Sequence, residues 1–153
     1  MEIFLKIVLL IFCFIMMEGV AWFTHKYIMH GFLWVLHKSH HEPGYRVVEG
    51  NDAFGVFFAA FSFILIFSGL PHFGYSFFAG IGIALYGVAY FFVHDIMVHQ
   101  RFPLLKNVKH PYLRAIRRAH KIHHKKMGKE DGEAFGFLFV KNKYYPDNKK
   151  QAT

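Results

Sequence analysis

Residues 53–93 read AFGVFFAAFSFILIFSGLPHFGYSFFAGIGIALYGVAYFFV, without one Asp, Glu, Lys or Arg. The stretch divides into two apolar runs, Ala53–Leu70 with 18 residues and Phe73–Val93 with 21. As helices they reach roughly 27 and 32 Å, against a bilayer hydrocarbon core of about 30 Å. Between them Gly69-Leu70-Pro71-His72-Phe73-Gly74 carries the Gly and Pro signals of a tight turn. The reading is an antiparallel hairpin of two membrane-spanning helices.

A third apolar run, Ile3–Phe23, is interrupted only by Lys6 and Glu18. It has the length of a signal peptide but lacks a small-residue cleavage pattern and runs directly into a histidine pair, so it is read as a retained helix. Three crossings put Met1 and the Pro71 turn on one side, and residues 24–52 and everything after 94 on the other. Of the 18 Lys and Arg, all but Lys6 fall on the second side, which the positive-inside rule assigns to the cytoplasm. A short re-entrant piece over Ile28–Leu36 leaves room for a fourth, partial span.

The fold class expected is therefore all-α: an integral membrane helical protein of three, at most four, transmembrane helices with a cytoplasmic histidine-rich metal-binding cap. One domain covers residues 1–153, with spans near 3–23, 53–70 and 73–93, histidine boxes over 25–41 and 94–124, and a polar, basic tail from about 141 to 153 expected to be mobile. The single cysteine, Cys13, excludes a disulfide within the chain and a thiolate metal site, and is read as a packing or lipid-facing residue. The net charge of +8 is accounted for by topology, so nucleic acid is not an expected partner.

Beyond the spans, HKSHH (His37–His41) recurs as HKIHH (His120–His124). Each copy follows another pair, HKYIMH (His25, His30) and HDIMVH (His94, His99). His25, His30, His37, His40, His41, His94, His99, His120, His123 and His124 all fall at the cytoplasmic mouth, and only His72 and His110 lie outside the pattern. In H-x-x-H-H the rings at i, i+3 and i+4 share a helical face. In H-x-x-x-x-H they stand about 140° apart on an ideal α-helix, so those pairs need a local distortion, a helix end, or different metals. Ten imidazoles exceed the four ligands of a tetrahedral zinc, which favours two metals; nitrogen ligation suits Fe, Zn, Cu or Ni. The metalloprotease H-E-x-x-H and a nucleophile elbow are both absent, which points away from hydrolysis and toward O₂ activation beside aromatic-rich helices.

The order H-x4-H, H-x2-H-H, H-x4-H, H-x2-H-H, together with HGFLWVLHKSHHEP, EGNDAFGVFFA, YFFVHDIMVHQRFP and RRAHKIHH, resembles the bacterial-type β-carotene 3-hydroxylases of the membrane fatty acid hydroxylase and sterol desaturase superfamily. The resemblance covers nearly the whole chain. It implies a non-haem di-iron site, two iron ions for which zinc can substitute in preparations, held by the ten histidines. It further implies hydroxylation at C3 of a carotenoid β-ionone ring by O₂ with reduced ferredoxin, taking β-carotene through β-cryptoxanthin to zeaxanthin, or canthaxanthin to astaxanthin. With no plastid transit peptide ahead of the first span, it implies a bacterial inner membrane location with the site facing the cytoplasm. Two rivals are a fatty acyl or sterol hydroxylase or desaturase with the same metals, and a non-enzymatic membrane metal or haem carrier.

Around the boxes, Asp95 and Glu18 are candidates to hydrogen-bond ligand imidazoles, Glu18 because it lies two helical turns before His25. Asn51-Asp52 reads as a helix N-cap. Arg114, Arg117, Arg118, Lys121, Lys125 and Lys126 form a basic run suited to lipid headgroups or to an acidic electron carrier. Phe135–Val140 (FGFLFV) is a candidate to pack back on the site, and aromatics of the spans to line a polyene channel.

Overall fold

The computed structural model describes residues 1–42, 48–130 and 132–146, and among these it is all helical. Five α-helices follow in order: α1 Glu2–Phe23, α2 Trp34–His41, α3 Asp52–Ser68, α4 Tyr75–Phe91 and α5 Pro111–His124. Two helices are long and apolar enough to cross a membrane, Glu2–Phe32 and Tyr75–Val98. α3 is equally apolar but has 17 residues, roughly 26 Å, which is short of a full crossing. The expected hairpin is present, with the turn between Ser68 and Tyr75. The re-entrant piece sought over Ile28–Leu36 is instead the wound end of the first helix, a kink at Gly31, and the start of α2.

α4 is the central helix, with α1 on one flank and α3 on the other. Two glycines allow this close approach. A Cβ on Gly82 would sit 2.4 Å from the Leu10 carbonyl oxygen on α1, beside Cys13. A Cβ on Gly80 would meet the Ile66 amide and the Ser62 carbonyl of α3, each at 2.8 Å, and the Ser62 hydroxyl donates to the Gly80 carbonyl at 2.9 Å. Small residues at such crossings replace the hydrophobic drive that is missing between helices in lipid. The outer faces are bare and apolar: Phe12, Phe57, Ile64 and Phe67 are all more than half exposed, a surface suited to acyl chains rather than water.

The two long helices end in the same unusual way. Over Thr24–Phe32 and Phe92–Val98 the backbone widens into π-helix, with Leu33 N–H donating to Ile28 O at 3.0 Å and His99 N–H to His94 O at 2.9 Å. The i→i+5 bond makes residues five apart neighbours. That resolves the H-x-x-x-x-H spacing: the His25 and His30 rings lie 5.2 Å apart, those of His94 and His99 4.4 Å.

In the stretch expected to be mobile, Asn142–Tyr144 form a 3₁₀ turn with Tyr144 buried against Ala115 and Ala119; residues 147–153 lie outside those described. Replacing Gly82 by Val should drive α1 from α4 at a cost of about 1–3 kcal/mol, read as a lowered Tm in detergent; an unchanged Tm would contradict this packing.

Candidate metal centre

The ten box histidines converge at one end of the bundle. They form two sets: His25, His30, His37, His41 and His123 in one, and His40, His94, His99 and His120 in the other, with ligating nitrogens inside each set within 4.8 Å of one another. His124 adjoins the second set, its Nε2 2.8 Å from that of His120. The chain halves therefore do not supply one set each. The middle histidine of each H-x-x-H-H crosses over, His40 into the set built from the second half and His123 into the set built from the first. The reason is the helical step: i and i+4 point one way, and i+3 is turned toward the neighbouring set.

Hydrogen bonds at the rear of the rings decide their chemistry. Nδ1 of His25, His30, His41 and His123 faces the backbone carbonyls of Phe135 (3.1 Å), Lys129 (3.0 Å), Lys126 (3.1 Å) and Glu133 (2.9 Å). A carbonyl only accepts, so each of these rings carries its proton on Nδ1 and presents a bare lone pair at Nε2. His37 Nδ1 donates to Asn51 Oδ1 at 2.7 Å, His40 Nδ1 to Glu49 Oε2 at 2.6 Å, and His94 Nδ1 to Asp95 Oδ2 at 3.2 Å. At the front, the Nε2 atoms face one another: His30 to His123 at 3.2 Å, His25 and His41 each to His37 at 3.1 Å, and His40 to His94 at 3.1 Å. With both protons committed behind, the His30–His123 approach is no hydrogen bond but two lone pairs aimed at one space. Only a cation makes such an arrangement favourable, and neutral imidazoles are its ordinary ligands. The donor set fits bound metal.

Burial holds His37, His40, His41, His99, His120, His123 and His124 neutral. Desolvation, assisted by neighbouring imidazoles, takes His41 down to about 4, His123 to about 3, and His37 and His124 to about 2. His40, His99 and His120 are displaced in the same direction for the same reasons. His72 and His110 lie exposed, away from both sets.

Several neighbouring residues take roles other than those read from the sequence. Asn51 stands at the N-cap of α3 but makes no side-chain cap bond; its oxygen is taken by His37. Glu18 touches no histidine through a hydrogen bond. Its Oε1 accepts the backbone N–H groups of Phe137, Leu138 and Phe139 at 2.6, 2.7 and 3.1 Å, and its Oε2 accepts the Tyr86 hydroxyl at 2.7 Å. Glu18 thus pins the FGFLFV segment to α1 and α4. Alternate residues then face the centre: Phe135 lies on His25 and His123 (5.4 and 5.3 Å), Phe137 on His94 and His120 (5.2 and 5.5 Å). Arg117, grouped with the basic run, is spent internally on the carbonyls of Met97, Leu105 and Lys106, whereas Arg114, Arg118, Lys121, Lys125 and Lys126 are exposed. Glu49 and Arg101 were not singled out by the sequence; neither has a periodic or box position, and only folding brings them to His40 and Asp95.

An apolar cavity of about 760 Å³ opens between α1 and α3. Met17, Ala21, Phe58, Ile83 and Tyr90 are among its walls, and it ends on His25 and His94, one from each set.

Comparison with known proteins agrees with this picture. The model of the fatty acid hydroxylase family matches residues 10–142. A beta-carotene hydroxylase of Pantoea ananas is 44% identical over 137 residues, covering 90% of this chain and 76% of the relative. One from Paracoccus sp. (strain PC1) is 38% identical over 127 residues, 82% and 78% of the two chains. The chloroplastic beta-carotene hydroxylase 2 of Capsicum annuum is 40% identical over 126 residues, 80% of this chain and 40% of the plant protein. No solved structure matches.

Because the folded rings refuse protons that an unfolded chain accepts from about pH 6.5 downward, the metal-free protein should hold its full stability above that pH. It should lose stability as the pH falls toward the His41 value of about 4. Thermal unfolding of chelator-treated protein from about pH 7.5 to about pH 5 checks this; a Tm that does not fall would mean that the rings are protonated in the fold.

Proposed function

The chain belongs to the fatty acid hydroxylase family, and from that premise we propose that it hydroxylates C3 of carotenoid β-ionone rings. β-Carotene would pass through β-cryptoxanthin to zeaxanthin, with canthaxanthin to astaxanthin as a second pair. The observation that carries this reading is the apolar cavity ending on His25 and His94. A hydrocarbon ring without polar handles needs such a chamber, and a polyene too long for it can trail between α1 and α3 into the bilayer. The relatives named for beta-carotene support the substrate class.

The reaction replaces a ring C–H by C–OH, with one O₂, two electrons and two protons yielding the alcohol and one water. Two iron ions, held by the two histidine sets, would supply the activation of O₂ and the oxidising strength. The chain supplies the rest. His25 and His94 bring both sets to one end of the cavity. Phe135 and Phe137 meet the rings edge to face and keep bulk water away, held by Glu18. Met17, Phe58 and Ile83 grip the ring by shape alone, so orientation rather than hydrogen bonding selects the carbon that is attacked.

Electrons come from reduced ferredoxin. The exposed Arg114, Arg118, Lys121, Lys125 and Lys126 on and just after α5 suit an acidic protein, which they would steer toward the centre; the same charges hold anionic headgroups. The topology proposed is three spans in a bacterial inner membrane, α3 being the short one, with the centre on the cytoplasmic side.

Expression in a bacterial host that accumulates β-carotene should yield hydroxylated carotenoids on chromatography. His40→Ala and His123→Ala should abolish the product, and His72→Ala should not. Ample protein and iron without product, or hydroxylated fatty acids in its place, would overturn the carotenoid assignment.

A further inference from the structure

Arg101 belongs to no histidine box, and its side chain is 12% exposed. Three carboxylates surround it: Nη1 lies 2.8 Å from Asp52 Oδ1, Nη2 3.1 Å from Glu49 Oε2, and Nε 3.0 Å from Asp95 Oδ1. Two of these carboxylates also hold rings of the centre. Glu49 Oε2 accepts from His40 Nδ1, and Asp95 Oδ2 accepts from His94 Nδ1. Asp52 closes the network by accepting the Glu49 backbone N–H at 2.9 Å through Oδ2. His40 and His94 stand 54 positions apart in the chain, yet their Nε2 atoms are 3.1 Å apart in one set. One guanidinium therefore fixes the two acceptors behind the pair of rings that joins the chain halves in that set.

The other set is held differently. Its rings end on four backbone carbonyls and one amide oxygen, with no carboxylate among those bonds. Neutral acceptors fix a ring's tautomer without adding charge. Carboxylate acceptors also raise the basicity of the ring, but only while they are held in place. Glu49, Asp52 and Asp95 gathered without a counter-cation would repel one another, and the guanidinium of Arg101 brings a nitrogen within 3.1 Å of each, with Nη1 donating a hydrogen bond to Asp52 Oδ1.

We propose that Arg101 is the positioning residue for one of two metal positions, that held by His40, His94, His99 and His120, and is not one for the position held by His25, His30, His37, His41 and His123. This rests on the two-metal reading above. The test uses the full chain in detergent, loaded with Zn²⁺, with bound zinc counted per chain against a graded chelator series. Wild type holds two ions. Arg101→Gln releases one of them at a chelator strength about 10- to 100-fold lower and keeps the other unchanged. Glu49→Gln, which keeps an oxygen for His40, shifts the same ion in the same direction. Adding His37→Ala to Arg101→Gln removes the ion that had stayed. Two zinc ions that both stay in the single variants, or both leave together, overturn the Arg101 assignment alone. A wild-type chain holding fewer than two ions defeats the two-position reading, and this proposal with it.

Discussion

Seven imidazoles with their Nδ1 protons committed behind them aim Nε2 lone pairs into one buried site, and much of this molecule is organised around holding them there. Four rings are fixed from behind by backbone carbonyls, which cannot donate a proton in return, so their Nε2 lone pairs face one another or that of His37. The carbonyls are those of Lys126, Lys129, Glu133 and Phe135, the last of them opening the FGFLFV segment. That stretch is held in turn by the three N–H groups that Glu18 accepts. A carboxylate within the first apolar helix is costly in lipid; here it is satisfied four times over, and its removal would loosen Phe135, Phe137 and the carbonyl cradle together.

The bundle geometry serves the same end. α4 takes α1 on one side through Gly82 and α3 on the other through Gly80, leaving a gap between α1 and α3 that becomes the cavity. α1 and α4 run parallel and both widen into π-helix at the exit, so each presents two rings where an α-helix would turn one away. That largely apolar cavity reaches His25 and His94, one from each histidine set.

Much of this was legible in the sequence. The charge-free run over 53–93 revealed the hairpin, and the repeated boxes revealed the ten histidines, because hydropathy and spacing are local properties. The H-x-x-x-x-H pairs carried their own explanation, since five is the repeat of a π-turn hydrogen bond, although the spacing looked awkward on an α-helix. Asn51 stands at the helix start that its local signal marks, but its side-chain bond goes to His37, which no local signal reveals. The crossing of His40 and His123 between sets, the Glu18 clamp on Phe137, and the bridging of Glu49 to Arg101 depend on pairs of residues from about 50 to 120 positions apart. No periodicity marks them, so only the folded chain reveals them.

The metal proposed for this site would be held by facing imidazoles and by little else. X-ray absorption at the iron edge of the iron-loaded chain tests that most directly. The expected result is a first shell dominated by nitrogen, with the outer-shell multiple scattering of several histidine rings per iron. A shell dominated by carboxylate oxygen, or the signature of a porphyrin, would contradict it.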